Sequence, residues 1–209
     1  MGRSSTSERV ERHTGEVLRF ELTDDRSMRL LDGSDAEELY ELIDANRAHL
    51  SLWMPFVSQT RGAADSLAFI RSARRQVAEN RGMQMAILVG ERIVGVAGFH
   101  RIDWTSRSTS IGYWLAEEQQ GAGTMTLAVC ALLDHAFLTL RLARVEIRAG
   151  VENHRSRAIP ERLGFREGGI LRGAERIDSR LIDHVIYAMT DDEWELVSAS
   201  RRRGSVASY

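Results

Sequence analysis

Cysteine and proline are almost absent from this chain. Its 209 residues include one cysteine, Cys130, and two prolines, Pro55 and Pro160. A single thiol excludes an internal disulfide, and its position in an amphipathic segment favours a buried, inert side chain. Long hydrophobic runs are also missing. Because a membrane-spanning helix needs about 18 or more consecutive apolar residues, the sequence predicts none.

An excess of one charge sign is also lacking. Lys plus Arg number 28 and Asp plus Glu 30, which leaves a net charge of −2 at pH 7. Nothing in this balance calls for nucleic acid or an anionic membrane as a partner. One cysteine and six scattered histidines show no ligand spacing, so no metal site is expected. The first residues lack the apolar core of a secretory signal, which favours a cytoplasmic protein.

The two polar ends of the chain are predicted to be flexible. Residues 1–15 are serine-rich and indicate an N-terminal arm, and residues 198–209 indicate a C-terminal tail. Between them, residues 16–197 are predicted to form a single domain, because the length suits one hydrophobic core and no linker interrupts it.

Hydrophobic periodicity predicts a mixed α/β (α+β) fold. Ser34 or Asp35 is the expected N-cap of the first helix, Gly164 ends a later one, and Gly90-Glu91 divides a β-hairpin. Helices are predicted over 33–50, 64–80, 124–137, 156–164 and 191–199, and strands within 18–31, 83–100, 108–115, 143–151, 165–171 and 183–189. This order is typical of a mostly antiparallel sheet flanked by helices.

The stretch YWLAEEQQGAGTMTLAVCALLDHAF, residues 113–137, places two glycines where a strand ends and a helix begins. The first amides of a helix lack internal partners, and glycine lets a ligand approach the backbone closely. Such a turn suits a diphosphate. A simple tight turn is the alternative, because neither G-x-G-x-x-G nor a P-loop lysine is present.

Two blocks of sequence nevertheless resemble one family. Residues 120–125, QGAGTM, resemble the Q/R-x-x-G-x-G/A signature of the GNAT superfamily of acetyl-CoA-dependent N-acetyltransferases, with Met125 departing at the last position. Residues 153–165, NHRSRAIPERLGF, resemble its N-x-x-S-x-x-x-x-E-R/K-L-G-F element. The run IGYWL followed by GAGTMT is similar to the branch that acetylates ribosomal-protein N-termini at serine or alanine.

The resemblance implies a splayed sheet whose gap admits acetyl-CoA from one side and an acceptor amine from the other. It implies that the cofactor is held by residues of the strand end, the glycine turn and the second block: Trp114, Leu115, Gln120, Gly121, Ala122, Gly123, Thr124, Met125, Asn153 and Ser156. A homodimer is expected by the same analogy.

The resemblance also implies catalytic roles. Ser156 matches a proposed general acid, although an N-cap is the alternative for this residue. No carboxylate occupies the strand before IGYW, where Ser110 stands, so His100 is the first candidate for the base and His184 the second. Both histidines have a structural alternative. Trp53 and Tyr113 are the candidates for acceptor binding.

The sequence therefore predicts an N-acetyltransferase that acts on the α-amine of a protein N-terminus, a ribosomal protein in the first instance. Acetylation of a small amine, such as an antibiotic, a polyamine or an amino-acid derivative, is the alternative within the same chemistry. A non-catalytic acyl-CoA-binding module is the alternative from another class, because the base is missing from its usual position.

Overall fold

The computed structural model describes residues 18–206, with side chains described through residue 201. The predicted N-terminal arm, residues 1–15, lies outside this range. The described strands are β1 Arg19–Glu21, β2 Arg26–Leu30, β3 Met83–Val89, β4 Arg92–Phe99, β5 Ser108–Leu115, β6 Arg144–Gly150, β7 Arg166–Ile177 and β8 Arg180–Thr190. The α-helices are α1 Ala36–Ala45, α2 Arg47–Leu50, α3 Ala63–Ala78, α4 Thr124–Asp134, α5 His154–Leu163 and α6 Asp191–Val206.

The eight strands form one sheet in the order β1-β2-β3-β4-β5-β6-β8-β7. Every neighbouring pair is antiparallel except β5 and β6, which are parallel. The predicted class, a mixed and mostly antiparallel sheet flanked by helices, is confirmed.

The sheet splays apart between β5 and β6. Their pairing runs from Ser108 opposite Arg144 to Ile111 opposite Ile147 and then stops, whereas β4 pairs with β5 as far as Leu115. The edge of β5 from Gly112 to Leu115 therefore faces a gap rather than a strand. Backbone groups on such an edge are free to pair with an extended ligand.

The two faces of the sheet bury different cores because successive side chains of a strand point to opposite faces. On one face the odd-numbered residues of β5, β6 and β8 pack against α4, α5 and α6, as Ile111, Ile147 and Tyr187 do. On the other face, α1 and α3 cover β3 and β4 through a smaller core. On the β6, β8 and β7 part of that second face, the described helices form no packed core. We call this area the helix-free face.

Three predicted boundaries differ in the structure. The region 18–31 is a hairpin of two strands, β1 and β2. The first helix is broken at Asn46. Asp35 is its N-cap, as predicted, but without a side-chain cap bond, and the turn before it is capped by Asp32, whose carboxylate accepts the Ser34 amide at 3.2 Å. The last helix continues to Val206, past the predicted end of the domain at residue 197.

The helix that follows the glycine turn ends in a π-helical turn, His135–Thr139. The ring of His135 stacks on Phe99 at 6.2 Å between centroids and lies 5.3 Å from the ring of Phe20. Desolvation in this aromatic contact lowers the pKa of His135 below its ordinary value of 6.5. The neutral ring is therefore the form that folding favours.

This contact predicts a loss of stability in acid. The unfolded chain takes up a proton at His135 before the folded chain does, so the free energy of unfolding should fall as pH drops below about 6.5. In chemical denaturation between pH 5 and 8, His135→Phe should give a shallower fall than wild type. His154→Asn, at an exposed position, is the matched control; equal slopes for wild type and His135→Phe would contradict the assignment.

Candidate active site

The glycine turn before α4 leaves several backbone amides without acceptors. Gly121 and Gly123 have φ values of +81° and +78°, and Gly123 is the N-cap of α4 with no side-chain cap. The first helical hydrogen bond of α4 is donated by the Leu127 amide to the Gly123 carbonyl, at 3.1 Å. The three amides before it point out of the helix end, where the helix dipole adds partial positive charge.

The space in front of these amides is open. A Cβ at Gly121 or Gly123 would meet no atom within 4 Å. Thr124 is 1% exposed, and its hydroxyl has no hydrogen-bond partner within the described residues. A buried donor of this kind costs free energy unless a ligand satisfies it. The turn therefore fits an anionic group with several acceptor oxygens.

A cavity of about 1070 Å³ extends from this turn into the gap between β5 and β6. Ligand pockets usually have about 300–1,000 Å³, so this one suits a long ligand. Its walls are the β5 edge, the α4 N-terminus, the first turns of α5, and the segment that contains α2 and Trp53. Arg162 of α5 reaches across the cavity wall and donates to Thr126 of α4 at 2.8 Å.

Asn153, and not Ser156, caps α5. The Asn153 side chain accepts the Ser156 amide at 3.2 Å. The Ser156 hydroxyl is thereby released from capping and donates to the Tyr113 hydroxyl at 3.3 Å. Tyr113 in turn donates to the Ser156 carbonyl at 3.0 Å. Burial raises the pKa of Tyr113 well above its usual value, so this phenol stays neutral.

Gln120 joins the two walls of the cavity. Its side-chain oxygen accepts from Arg155 of α5 at 2.9 Å, and its side-chain nitrogen lies 2.7 Å from Nε2 of His49 in α2. Both ends of the amide are occupied by these contacts. Gln120 therefore ties the helix before Trp53 to the helix that carries Ser156.

The helix-free face of the sheet beside the gap carries a cluster of ionisable groups. Nε2 of His184 on β8 lies 3.6 Å from a carboxylate oxygen of Glu175 on β7. Arg148 on β6 donates to Glu146 at 2.9 Å. The Trp53 ring closes this face at one end, where its carbons lie 3.1 Å from the position of a Cβ on Gly150.

The local environment sets the protonation of this cluster. Burial raises the pKa of Glu175. Burial first and the positive charge of Arg148 second lower the pKa of His184, against a smaller opposing effect of Asp183, so its imidazole is favoured in the neutral form. The same two causes lower the pKa of His100, whose ring lies against Gly112 on β5 although the residue as a whole is exposed. Neutral imidazole and a destabilised carboxylate are both proton acceptors.

The structure brings most of the predicted site residues to the cavity. It is lined by Trp53, Tyr113, Trp114, Leu115, Gln120, Gly121, Gly123, Thr124, Met125, Asn153 and Ser156. Ala122 lies in the turn but does not line the cavity, and His100, His184 and Glu175 lie outside the lining as well, on the helix-free face. Tyr113 faces Ser156, on the opposite face from the Glu175–His184 cluster.

Sequence reasoning missed three features of the site. These are the Glu175–His184 pair, the clamp of His49 and Arg155 on Gln120, and the bond from Ser156 to Tyr113. The partners in each contact are far apart in sequence and meet only in the folded chain. Helix or strand periodicity therefore gives no signal for them. Within residues 18–206, no group of three or more His, Cys, Asp or Glu side chains is placed to hold a metal ion.

Comparison with known proteins accounts for this geometry. The family model described as an acetyltransferase (GNAT) domain matches residues 27–166. The chain belongs to the GNAT acetyltransferase family. YdaF of Bacillus subtilis, named as a candidate ribosomal N-acetyltransferase, is 38% identical to this GNAT protein over 171 residues, which cover 81% of this chain and 93% of YdaF.

Solved structures agree with the family. Mycobacterium smegmatis RimJ, in complex with CoA-disulfide, superposes with a TM-score of 0.77 at 29% identity and covers 84% of this chain and 90% of its own. The microcin C7 self-immunity acetyltransferase MccE, in complex with acetyl-CoA and AMP, has a TM-score of 0.76 at 28% identity, with 81% of this chain and 94% of its own covered. This GNAT protein is accordingly an N-acetyltransferase that uses acetyl-CoA.

The residues present fit that cofactor. The free amides of the glycine turn suit its diphosphate, and the unpaired β5 edge suits the amides of its pantetheine arm. The cavity is long enough to connect the two. Bound acetyl-CoA supplies an activated acetyl thioester; the chain's own part is to hold it, admit an amine and move protons.

Proposed function

We propose that this enzyme acetylates the N-terminal α-amine of a protein, with a ribosomal protein as the first candidate. The observation that carries the proposal is the helix-free face beside the gap, bounded by β6, β8, β7 and Trp53. An open surface accepts a peptide chain, whereas a small amine is held in an enclosed pocket. The names of YdaF and of the Escherichia coli ribosomal-protein-serine acetyltransferase, 28% identical over 154 residues, support the choice of ribosomal protein.

The open face is reached from outside because the helices on β6 and β8 lie on the other side of the sheet. Arg157 of α5, for example, donates to the Tyr187 hydroxyl on that other side. On the open face, Leu171 of β7 is 42% exposed and Leu52 beside Trp53 is 46% exposed. These apolar side chains would contact the first residues of a peptide acceptor.

A group that can accept the proton of the substrate amine lies on this face. In the proposed reaction the amine nitrogen forms a bond to the acetyl carbonyl carbon, and the bond from that carbon to sulfur breaks. The Glu175–His184 pair takes the proton from the amine, and the Ser156 hydroxyl gives a proton to the departing thiolate. The pair then releases the amine proton to solvent, and Ser156 takes up a proton from solvent, which restores both groups. His100, which lies on the same face and, like Glu175 and His184, outside the cavity lining, is the alternative acceptor of the amine proton.

Amine ionisation favours an α-amine over a lysine. With pKa values near 8 and 10.4, about a tenth of an α-amine but under a thousandth of a lysine side chain is neutral at pH 7. The difference corresponds to about 3 kcal/mol of deprotonation. The Glu175–His184 pair lies on an open face outside the cavity lining. Such a proton acceptor suits an amine that is already partly neutral.

The proposal is tested by release of free CoA from acetyl-CoA. A panel of peptides beginning with serine or alanine is compared with the same peptides blocked at the N-terminus, and with polyamines and aminoglycosides. Turnover of the unblocked peptides alone is the expected result. Turnover of small amines only would assign the enzyme to small-molecule acetylation, and CoA binding without turnover would assign a binding module.

Two further properties accompany this proposal. The enzyme would act in the cytoplasm, where nascent ribosomal proteins are found. It would be a homodimer, which light scattering would show as twice the chain mass of 23.5 kDa; a mass of one chain would contradict the dimer. Within the described residues, no helix has the length and apolar character of a membrane span.

A further inference from the structure

The cofactor turn is held from behind by an arginine that belongs to neither sequence block. Nη1 of Arg26, at the start of β2, donates to the Ala122 carbonyl at 3.0 Å, across 96 positions of the chain. Ala122 is the central residue of the turn between Gly121 and Gly123. This contact therefore joins the sheet's second strand to the loop that presents the free amides.

The direction of this contact matters for the turn. Since the peptide unit is planar and trans, its carbonyl and the following amide point in opposite directions. With the Ala122 carbonyl drawn toward Arg26, the Gly123 amide is turned away from Arg26. That amide then joins the helix-end amides on the cavity side.

The flexibility of the two glycines explains why the turn needs such a hydrogen bond. Gly121 and Gly123 have positive φ, no atom lies within 4 Å of where a Cβ would stand on either, and glycine has more backbone freedom than any other residue. A turn of this kind orders itself at an entropic cost on each binding event unless another group fixes it beforehand. No other side chain among the described residues donates to the Ala122 carbonyl.

Most of the Arg26 side chain is buried. Its side chain is 24% exposed, and the carboxylate of Asp25 lies 3.8 Å from its Nε. That Nε is buried and makes no hydrogen bond within residues 18–206. Arg26 does not line the cavity, so it reaches the turn from the back rather than the ligand from the front.

We infer that Arg26 is a positioning residue for the diphosphate of acetyl-CoA, acting through the Ala122 carbonyl to keep the amides of residues 121–125 aimed into the cavity. Its guanidinium also places a permanent positive charge behind the amides. Both effects concern the diphosphate and neither concerns the pantetheine arm or the acceptor. The inference rests on the cofactor and is independent of which amine is acetylated.

The test compares ligands that keep or lack the diphosphate. Titration calorimetry gives Kd for CoA and for dephospho-CoA, which lacks only the 3′-phosphate; competition against CoA gives Kd for pantetheine. Arg26→Met retains the apolar stem. It should raise Kd for CoA and dephospho-CoA by about tenfold, the size expected for one lost hydrogen bond to a charged donor, and leave Kd for pantetheine within about twofold.

Two further variants serve as controls. Arg19→Met removes an exposed arginine of the neighbouring strand β1, paired with Glu21, and should leave all three Kd values unchanged. Arg26→Lys keeps the charge and should show a smaller loss in the same direction, so it preserves the test if the methionine variant does not fold.

Three results would overturn the inference. An equal loss of pantetheine affinity would make Arg26 a general structural residue. A loss for CoA without one for dephospho-CoA would place its action at the 3′-phosphate. Unchanged Kd values in the folded variants would remove any role in cofactor binding. Because no acceptor takes part, failure of the N-terminal acetylation proposal would leave this measurement intact.

Discussion

Ser156→Ala is expected to lower kcat by about 10²-fold with little change in KM for acetyl-CoA, because general acids contribute about 10²–10⁴-fold. In the capping bond of α5 the Ser156 backbone amide donates to the Asn153 side-chain oxygen, so this bond survives the substitution. The helix should therefore keep its position, and the loss should appear in the chemical step. Steady-state kinetics with a peptide acceptor measures both constants.

Tyr113 provides the internal check on this role. Tyr113→Phe removes both contacts with Ser156 and should lower kcat by about tenfold, the upper range for a neutral hydrogen bond. In the Ser156→Ala background the same change should have little effect, since the hydroxyl it orients is gone. Additive losses in the double variant would contradict the arrangement.

The matched control is Tyr187→Phe. Tyr187 also has a buried hydroxyl on the same side of the sheet, but it donates to Glu161 at 2.7 Å and accepts from Arg157. Its removal should lower the free energy of unfolding and leave kcat near that of wild type. A large fall in kcat here would mean that any buried hydroxyl on this side affects catalysis.

Glu175→Gln is expected to lower kcat/KM for the peptide by about 10²-fold near pH 7, within the range for general bases. Burial raises the pKa of Glu175, so its carboxylate forms only as pH rises through that value, and activity should rise with it. The variant should lose this rising limb. A pH profile of kcat/KM for wild type and variant measures the effect.

The control for Glu175 lies on the same strand. Glu167→Gln, at an exposed position toward the other end of β7, should retain the wild-type profile. If instead Glu175→Gln is active and His100→Gln loses the rising limb, the amine proton goes to His100. Retention of the limb in both Glu175→Gln and His100→Gln would contradict the assignment of the amine proton to either of these two residues.

The fold and the cofactor side of the site were predictable because their signals are local. The strand from Ser108 to Leu115 and the hairpin around Gly90 matched their predicted bounds, since apolar runs and a glycine turn mark them in consecutive residues. The glycine turn and α5 were placed by two short blocks. Each block contributes either free backbone amides or a helix cap. The geometry of both is set by residues that are neighbours in sequence, so a short motif is enough to predict them.

The acceptor side was not predictable in the same way. Glu175 meets His184 only because β7 and β8 form a hairpin whose register skips residues between Leu171 and Glu175. Likewise, Arg26 reaches Ala122 only because α4 packs across the sheet toward β2. Because Ser110 stands where a carboxylate is expected, the sequence predicts His100 and then His184 as the base. The sheet places Glu175, the base proposed above, on the same face from another strand.

Mass spectrometry of one peptide tests the central claim most directly. The peptide begins with a free serine α-amine and carries an internal lysine, and it is incubated with acetyl-CoA and the enzyme. The enzyme contains no lysine, because all 28 of its basic residues are arginines, so its own side chains contribute no acetyl-lysine. One acetyl group on the α-amine, absent with Ser156→Ala over the same time, is the predicted result. Acetyl on the lysine, or no acetylation of the peptide while small amines turn over, would contradict N-terminal acetylation.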